Sequence, residues 1–190
     1  MKIGLFFGSF NPIHNGHMAI AGYMAQFTDL DQVWFVVSPH NPFKEKKSLL
    51  KGHHRLAMVK AAIEDIPYLK ASDIEFGLPQ PSYTSVTLAY LADKYPTHEF
   101  ALIMGSDNLG TFNKWMNYES IIESHRIYIY PRPGHEAVNL INHPSVISTE
   151  APLVELSSTM IRNSLSIDKD ARCFMPDAAW LYLDEMNFYK

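Results

Sequence analysis

Two histidines three positions apart flank a glycine in the segment GSFNPIHNGH, residues 8–17. His14 and His17 follow an apolar run and precede a helical pattern, so they lie at the start of a predicted helix. Amide groups and the positive end of the dipole at a helix start attract anions, and imidazoles beside them can donate to phosphate oxygens. The same spacing suits a metal site or an ordinary loop, but no third His, Asp or Glu follows at helical spacing. Phosphate is therefore the favoured ligand.

Four further polar clusters stand where predicted strands end or predicted helices begin. They are SPHNPFK (38–44), PSYT (81–84), GSDN (105–108) and PRPG (131–134). Ligands of open parallel sheets bind at the carboxyl ends of the strands. We therefore expect these clusters to converge with the two histidines at one edge of a sheet.

The elements that position these clusters follow from hydrophobic patterning. Apolar runs predict strands at 2–7, 32–37, 69–76, 99–105 and 126–130, and helical spacing predicts helices from residue 16, with Asn15 as N-cap, and at 53–65, 84–95 and 117–124. A sixth strand at 145–149, a capped helix at 156–165 and a terminal helix at 178–186 are weaker signals. Strands alternating with helices indicate an α/β fold, a doubly wound parallel sheet.

Composition excludes several classes of protein. The chain has 190 residues, is 47% hydrophobic and 13% aromatic, and carries a formal charge of −4. This supplies a core for one domain and excludes dominant disorder. One cysteine, Cys173, makes neither a disulfide scaffold nor a thiolate zinc module and fits a reducing cytoplasm. We expect neither a spanning helix nor a secretion signal, and the acidic balance argues against a polynucleotide partner.

The motifs together resemble a known family. GSFNPIHNGH is similar to the H-x-G-H signature of the nucleotidyltransferase superfamily, and LSSTMIR is similar to its S-x-x-x-x-R element, here Ser157 to Arg162. With PSYT, GSDN, Trp115 and PRPG in this order, nearly the whole chain resembles the bacterial nicotinate mononucleotide adenylyltransferases. The resemblance implies one Rossmann-like nucleotidyltransferase domain over residues 1–190, with a C-terminal helical part at 157–190.

The resemblance also implies a reaction and a set of site residues. A phosphate oxygen of nicotinate mononucleotide would attack the α-phosphorus of ATP, giving deamido-NAD and pyrophosphate, with Mg²⁺ held by the ATP phosphates. The implied catalytic residues are His14, His17, Lys44 and Arg162. The implied ATP-binding residues are Gly8, Ser9, Phe10, His14, His17, Gly105, Asp107, Ser157, Ser158, Thr159 and Arg162. The implied mononucleotide-binding residues are Ser9, Lys44, Tyr83, Thr84, Trp115 and Arg132.

Each assignment has a plainer alternative. Lys44 lies in the charged run KEKK, Tyr83 and Thr84 suit a helix cap, and Trp115 suits a core position as well as a surface for a pyridine ring. Arg55 is a secondary candidate for phosphate binding or loop anchoring, the role of His40 stays open, and residues 39–52 suit a mobile lid. Two other functions compete, namely a different small-molecule nucleotidyltransferase and a non-catalytic nucleotide sensor.

Overall fold

A parallel β-sheet forms the centre of the computed structural model, which describes residues 1–39, 49–134 and 140–190. Its strands are β1 (Lys2–Gly8), β2 (Gln32–Val37), β3 (Leu69–Ser72), β4 (Glu99–Gly105), β5 (Ile127–Tyr130) and β6 (Val146–Ser148). They lie in the order β3-β2-β1-β4-β5-β6, and every neighbouring pair is parallel. The order reverses between β1 and β4, and at such a switch point an open α/β sheet binds its ligands.

Helices cover both faces of this sheet. Their bounds are α1 (Asn15–Phe27), α2 (Gly52–Ile63), α3 (Thr84–Lys94), α4 (Ser106–Leu109), α5 (Tyr118–Ser124), α6 (Ser158–Leu165) and α7 (Asp177–Glu185). Buried side chains of α1, α2, α6 and α7 join one core cluster, and those of α3, α4 and α5 join another. The predicted doubly wound α/β fold is confirmed.

The strands form where the sequence is apolar almost without interruption. In β2, the run VWFVV from Val33 to Val37 is buried at every position. Alternating side chains reach opposite clusters, with Phe6 of β1 in one and Leu5 in the other. A strand buried on both faces needs such continuous apolar runs. The runs therefore hold the polar loops that follow each strand at one edge.

Two local predictions are wrong. The third strand ends at Ser72 instead of residue 76, and Ile74–Gly77 forms a 3-10 helix. The hydroxyl of Ser72 accepts from the Ile74 amide at 3.4 Å, and the Phe76 amide donates to the Asp73 carbonyl at 2.8 Å, so local polar contacts turn the chain. The N-cap of α1 is His14 and not Asn15, whose side chain donates instead to the Cys173 carbonyl at 3.1 Å.

Candidate active site

The loop after β1 and the start of α6 meet at the carboxyl edge of the sheet. The Arg162 Nη1 group donates to the Asn11 carbonyl at 2.8 Å, and the Ser158 hydroxyl donates to the Pro12 carbonyl at 2.8 Å. The α6 N-cap is Ser157, whose hydroxyl accepts from the Met160 amide at 3.2 Å. Two motifs almost 150 positions apart in the chain thus form one site.

His14 and His17 cap α1 reciprocally. The His17 amide donates to His14 Nδ1 at 3.3 Å, and the His14 amide donates to His17 Nδ1 at 3.2 Å. The rings stack with centroids 3.6 Å apart. Since both Nδ1 atoms accept, the proton of each neutral ring is on Nε2. The cap therefore fixes which nitrogen of each imidazole can donate to a ligand.

His14 is held neutral by its surroundings. Burial, and next the positive charge of Arg132, lower the pKa of His14 from 6.5 to about 4. Only 5% of the residue is exposed. At neutral pH the ring is thus uncharged and can serve as a hydrogen-bond donor.

Gly16 makes the compact cap possible. A Cβ atom at this position would lie 2.6 Å from Val154 Cγ1 and 3.0 Å from His14 Nδ1. The aromatic ring of Phe10 contacts the ring of His17 edge to face, with centroids 5.0 Å apart, while Phe10 itself is 2% exposed. The Phe10 side chain thus belongs to the core and supports the ring of His17. The predicted contact of Phe10 with ATP would therefore be made by the backbone of Phe10.

A cleft of about 260 Å³ opens beside the histidines, next to the ends of β4 and β5. It is lined by Asp107, Arg132, Pro133, Val154 and Glu155. Arg132 Nε and Asp107 Oδ1 lie 3.9 Å apart, and neither atom hydrogen-bonds a residue in the described ranges. The Arg132 amide donates to the Ser106 hydroxyl at 3.0 Å, which joins the GSDN and PRPG clusters.

Gly105 contributes to the shape of this cleft, because a side chain at this position would displace Asp107 and Arg132, which line it. A Cβ atom would collide with Asp107 Oδ1 and approach Arg132 Cγ to 3.0 Å. The structure thus brings Gly105, Asp107 and Arg132 together beside His14, as the sequence predicts, and presents a cation and a carboxylate to the same space.

Arg55 anchors loops through its guanidinium group. It is 0% exposed, and its guanidinium donates to the carbonyls of Leu50, Ser9, Ser38 and Pro39 at 2.5–2.9 Å. These carbonyls belong to the loops after β1 and β2 and to the segment before α2. Of the two roles predicted for Arg55, the structure supports loop anchoring.

The PSYT cluster lies at the start of α3. Thr84 is the first residue of the helix, and Tyr83 is its N-cap and 43% exposed. Glu75, which is 2% exposed, accepts from the Thr87 hydroxyl at 3.0 Å, and burial raises its pKa. The sequence motifs do not single out this acid, because it belongs to none of them and its Thr87 partner lies 12 positions away.

The remaining predicted residues differ in placement. Trp115 is half-buried and packs on Phe112 with ring centroids 5.2 Å apart. That its exposed part stacks on a pyridine ring stays a prediction. Thr159 is exposed, and its hydroxyl accepts from Arg162 Nη2 at 3.3 Å. Lys44, His40 and most of the proposed lid at 39–52 lie outside the described residues.

A larger cavity, of about 370 Å³, lies at the opposite edge of the sheet. Lys2, Phe100, His125, Arg126 and Tyr128 are among its lining residues. Helices α3 and α5 end near this edge, so their carbonyl ends favour cations there. The predicted nucleotide-binding residues lie at the other edge, and volume alone does not mark the site.

The described residues offer no ready-made metal cage. Among residues 1–39, 49–134 and 140–190, no group of three or more His, Cys, Asp or Glu side chains is placed to hold an ion. Mg²⁺ needs few protein ligands when phosphates and water supply the others.

Across the same ranges, none of the helices has the length and apolar character that crossing a membrane requires.

Comparison with known proteins extends the likeness over the full chain. The cytidylyltransferase-like family model matches residues 5–164. A "probable nicotinate-nucleotide adenylyltransferase" of Flavobacterium johnsoniae is 56% identical over 192 residues, and one of Flavobacterium psychrophilum is 54% identical, each covering 100% of both chains. The structure of a nicotinic acid mononucleotide adenylyltransferase of Plasmodium falciparum, complexed with NaAD, has a TM-score of 0.81 at 18% identity and covers 99% of this chain and 97% of its own.

The structural likeness, at 18% identity, supports the fold alone. The full-length relatives, at 56% and 54% identity, establish the family. The chain belongs to the cytidylyltransferase-like family and, within it, to the nicotinate-nucleotide adenylyltransferases.

Proposed function

We infer that the chain transfers the adenylyl group of ATP to nicotinate mononucleotide, giving deamido-NAD and pyrophosphate in NAD biosynthesis. Relatives of full length and more than half identity carry this activity in their names. The observation that carries the reaction type is the contact between Arg162 and the loop that leads to His14. It brings a guanidinium to the loop that ends at His14, and a cation close to imidazole donors suits a triphosphate.

The chemistry needs positioning more than proton transfer. A phosphate oxygen of the mononucleotide attacks the α-phosphorus, the bond to the β-phosphate bridging oxygen breaks, and pyrophosphate leaves. The second pKa of a phosphate monoester is near 6, so the nucleophile is already ionised at neutral pH. The remaining barrier is alignment and charge build-up on the phosphate oxygens, which fixed donors lower.

The described residues divide this work. His14 and His17 donate through Nε2 to the phosphates, since their Nδ1 atoms accept from the backbone. Arg162 reaches the same space from α6, and Lys44 is proposed to join it from the loop after β2. Asp107 is proposed to accept from the ribose hydroxyls of ATP, and Arg132 to hold the phosphate of the mononucleotide.

Mg²⁺ is proposed as the cofactor. It would be held mainly by ATP phosphates and water, and it would neutralise charge on the departing pyrophosphate. None of the described acidic side chains is grouped to hold the ion. In this proposal the imidazole and guanidinium groups of the chain orient the α-phosphate.

Choice of the acid over the amide is proposed to arise at the start of α3. Helix-start amides and the Thr84 hydroxyl would donate to a carboxylate, whereas an amide would leave donors facing donors. Glu75 lies close to this helix start through its contact with Thr87, but burial raises its pKa and favours its neutral form. The substrates are small molecules, and the cytoplasm is the proposed compartment.

The test is pyrophosphate release with ATP and a panel of acceptors. We expect nicotinate mononucleotide to exceed nicotinamide mononucleotide by roughly ten- to hundredfold in kcat/KM, which matches one or two unpaired buried donors. Phosphopantetheine should give no release. Equal efficiency with both mononucleotides would overturn the proposed acceptor pocket, and release with phosphopantetheine alone would overturn the proposed activity.

A paired substitution ties the activity to the site. Replacement of His17 by Ala should lower turnover by about 10² to 10³, because one preorganised donor to the developing charge is lost. Replacement of the exposed His53 by Ala is the matched control and should leave turnover unchanged. Wild-type turnover of His17→Ala at saturating substrates would remove His17 from the mechanism.

A further inference from the structure

The C-terminal tail after α7 reaches the loop that carries the active-site histidines. The hydroxyl of Tyr189 donates to Asn11 Oδ1 at 2.5 Å, across 178 positions of sequence. The Tyr189 ring also packs against the core cluster beneath α1, α2, α6 and α7. A residue next to the end of the chain is therefore in hydrogen-bond contact with the segment between β1 and His14.

Asn11 is the junction through which this contact reaches the site. Its side-chain oxygen accepts from Tyr189 and from the Leu50 amide, the latter at 3.1 Å, and its backbone carbonyl accepts from Arg162 at 2.8 Å. It is 4% exposed. A change in the position of Asn11 therefore moves the guanidinium of Arg162 and the start of the histidine loop together.

The tail is held in a demanding conformation. Tyr189 has a φ of 67°, in the left-handed region that a bulky residue adopts only when its surroundings hold it there. Phe188, the residue before Tyr189, packs edge to face on His54 of α2, with ring centroids 4.8 Å apart. This contact anchors the tail to α2. Burial raises the pKa of Tyr189, so the hydroxyl stays protonated and donates at neutral pH.

We propose that Tyr189 is a positioning residue for phosphate binding, because its hydroxyl fixes Asn11 and thereby the placement of Arg162 and the histidine loop. This proposal rests on the proposed function, in which those groups bind the triphosphate. In this role Tyr189 acts through Asn11 and not through a contact of its own with substrate. Its effect should fall on ATP and pyrophosphate and spare the mononucleotide.

The chain provides a matched control in Tyr182. Its hydroxyl lies 2.9 Å from His54 Nδ1, at the same interface between the C-terminal part and α2. Tyr189→Phe and Tyr182→Phe each remove one hydroxyl from a tyrosine that packs on the same core cluster. Only the first removes a contact to Asn11, so a general loss of tail packing would affect both variants alike.

The experiment measures five quantities for the wild type and both variants: kcat, the KM values of ATP and of nicotinate mononucleotide, the Kd of inorganic pyrophosphate by calorimetry, and Tm. For Tyr189→Phe we expect a three- to tenfold loss in kcat/KM for ATP and a similar weakening of pyrophosphate binding, the range for one hydrogen bond. Its KM for the mononucleotide should stay within about twofold of wild type. Tyr182→Phe should stay within about twofold throughout.

A double-mutant cycle with Asn11→Ala tests the route of the effect. If Tyr189 acts through Asn11, adding Tyr189→Phe to Asn11→Ala should weaken pyrophosphate binding no further. Additive losses would overturn the proposal, as would unchanged pyrophosphate binding in Tyr189→Phe or equal losses in Tyr182→Phe. Pyrophosphate binding requires no acceptor, so absence of catalysis in the wild type would overturn the proposed function and leave this test intact.

Discussion

His14 is a buried imidazole that caps a helix through Nδ1 and stays neutral at neutral pH. The pKa of His14 is about 4 in the folded chain and 6.5 in the unfolded chain. Between pH 4 and pH 6.5 the unfolded state therefore binds a proton at His14 that the folded state does not bind. Stability that this group contributes is complete above pH 6.5 and is lost as the pH falls toward 4. The total is about 3 kcal/mol, converted at 1.36 kcal/mol per unit of pKa.

Replacement of His14 by Asn should remove this acid sensitivity. Asn is a good N-cap, so the helix start keeps an acceptor while the titration disappears. Chemical denaturation at several pH values between 7 and 4 should show the wild type losing about 3 kcal/mol more stability than His14→Asn over this range. Parallel curves for the two proteins would mean that His14 is not the group that titrates.

Helix α1 contains two glycines with opposite surroundings. Gly16 is enclosed by Val154 and the His14 ring, whereas a Cβ at Gly22 would meet nothing within 4 Å. Gly16→Ala should therefore displace the cap and lower turnover at least about tenfold, while Gly22→Ala should leave turnover unchanged and stabilise the fold by about 0.5–1 kcal/mol. Steady-state kinetics and denaturation of both variants check this pair. Full activity in Gly16→Ala would contradict the steric role of that glycine.

The elements that the sequence predicts well are those with a strong local signal. Strands β1, β2, β4 and β5 follow from apolar runs buried on both faces, and the convergence of the polar clusters follows from parallel pairing. The third strand fails because Ser72 and Asp73 turn the chain through contacts that apolar patterning does not weigh.

The site is predicted less completely because several of its contacts join distant parts of the chain. The sequence leaves two roles open for Arg55, phosphate binding and loop anchoring, and only the folded chain brings four carbonyls to its guanidinium. The roles of Glu75, Asn11 and Tyr189 likewise depend on partners 12 to 178 positions away. No local pattern distinguishes such residues from ordinary polar positions.

On the scale of the whole molecule, charged contacts at one edge of the sheet belong to the proposed nucleotide site, and those at the opposite edge stabilise the fold. At the edge opposite the site, Asp29 accepts from Lys2 at 2.6 Å, from Arg126 at 3.1 Å and from the Tyr128 hydroxyl. These partners, the Lys2 hydrogen bond foremost, lower the pKa of Asp29 to about 2. The cluster ties the starts of β1 and β5 to the loop between α1 and β2.

Replacement of Asp29 by Asn should cost stability and spare catalysis. We expect Tm to fall by roughly 2–4 °C at pH 7 with kcat unchanged, because charge-assisted hydrogen bonds are lost far from the nucleotide. The wild-type advantage is present above pH 3.8 and fades as the pH falls toward 2, so the Tm difference should narrow between pH 4 and pH 3. A constant difference, or a lower kcat, would contradict this separation of the two edges.

The contact between Arg162 and Asn11 also orders events during synthesis. A ribosome delivers the loop after β1 well before α6, so the carbonyls of Asn11 and Pro12 gain their α6 partners only about 150 residues later. Chains released before residue 162 contain the segments of all six described strands but lack the arginine side of the site. Nascent or prematurely terminated chains should therefore consume no ATP, and activity should begin only as the helices after β6 emerge and dock.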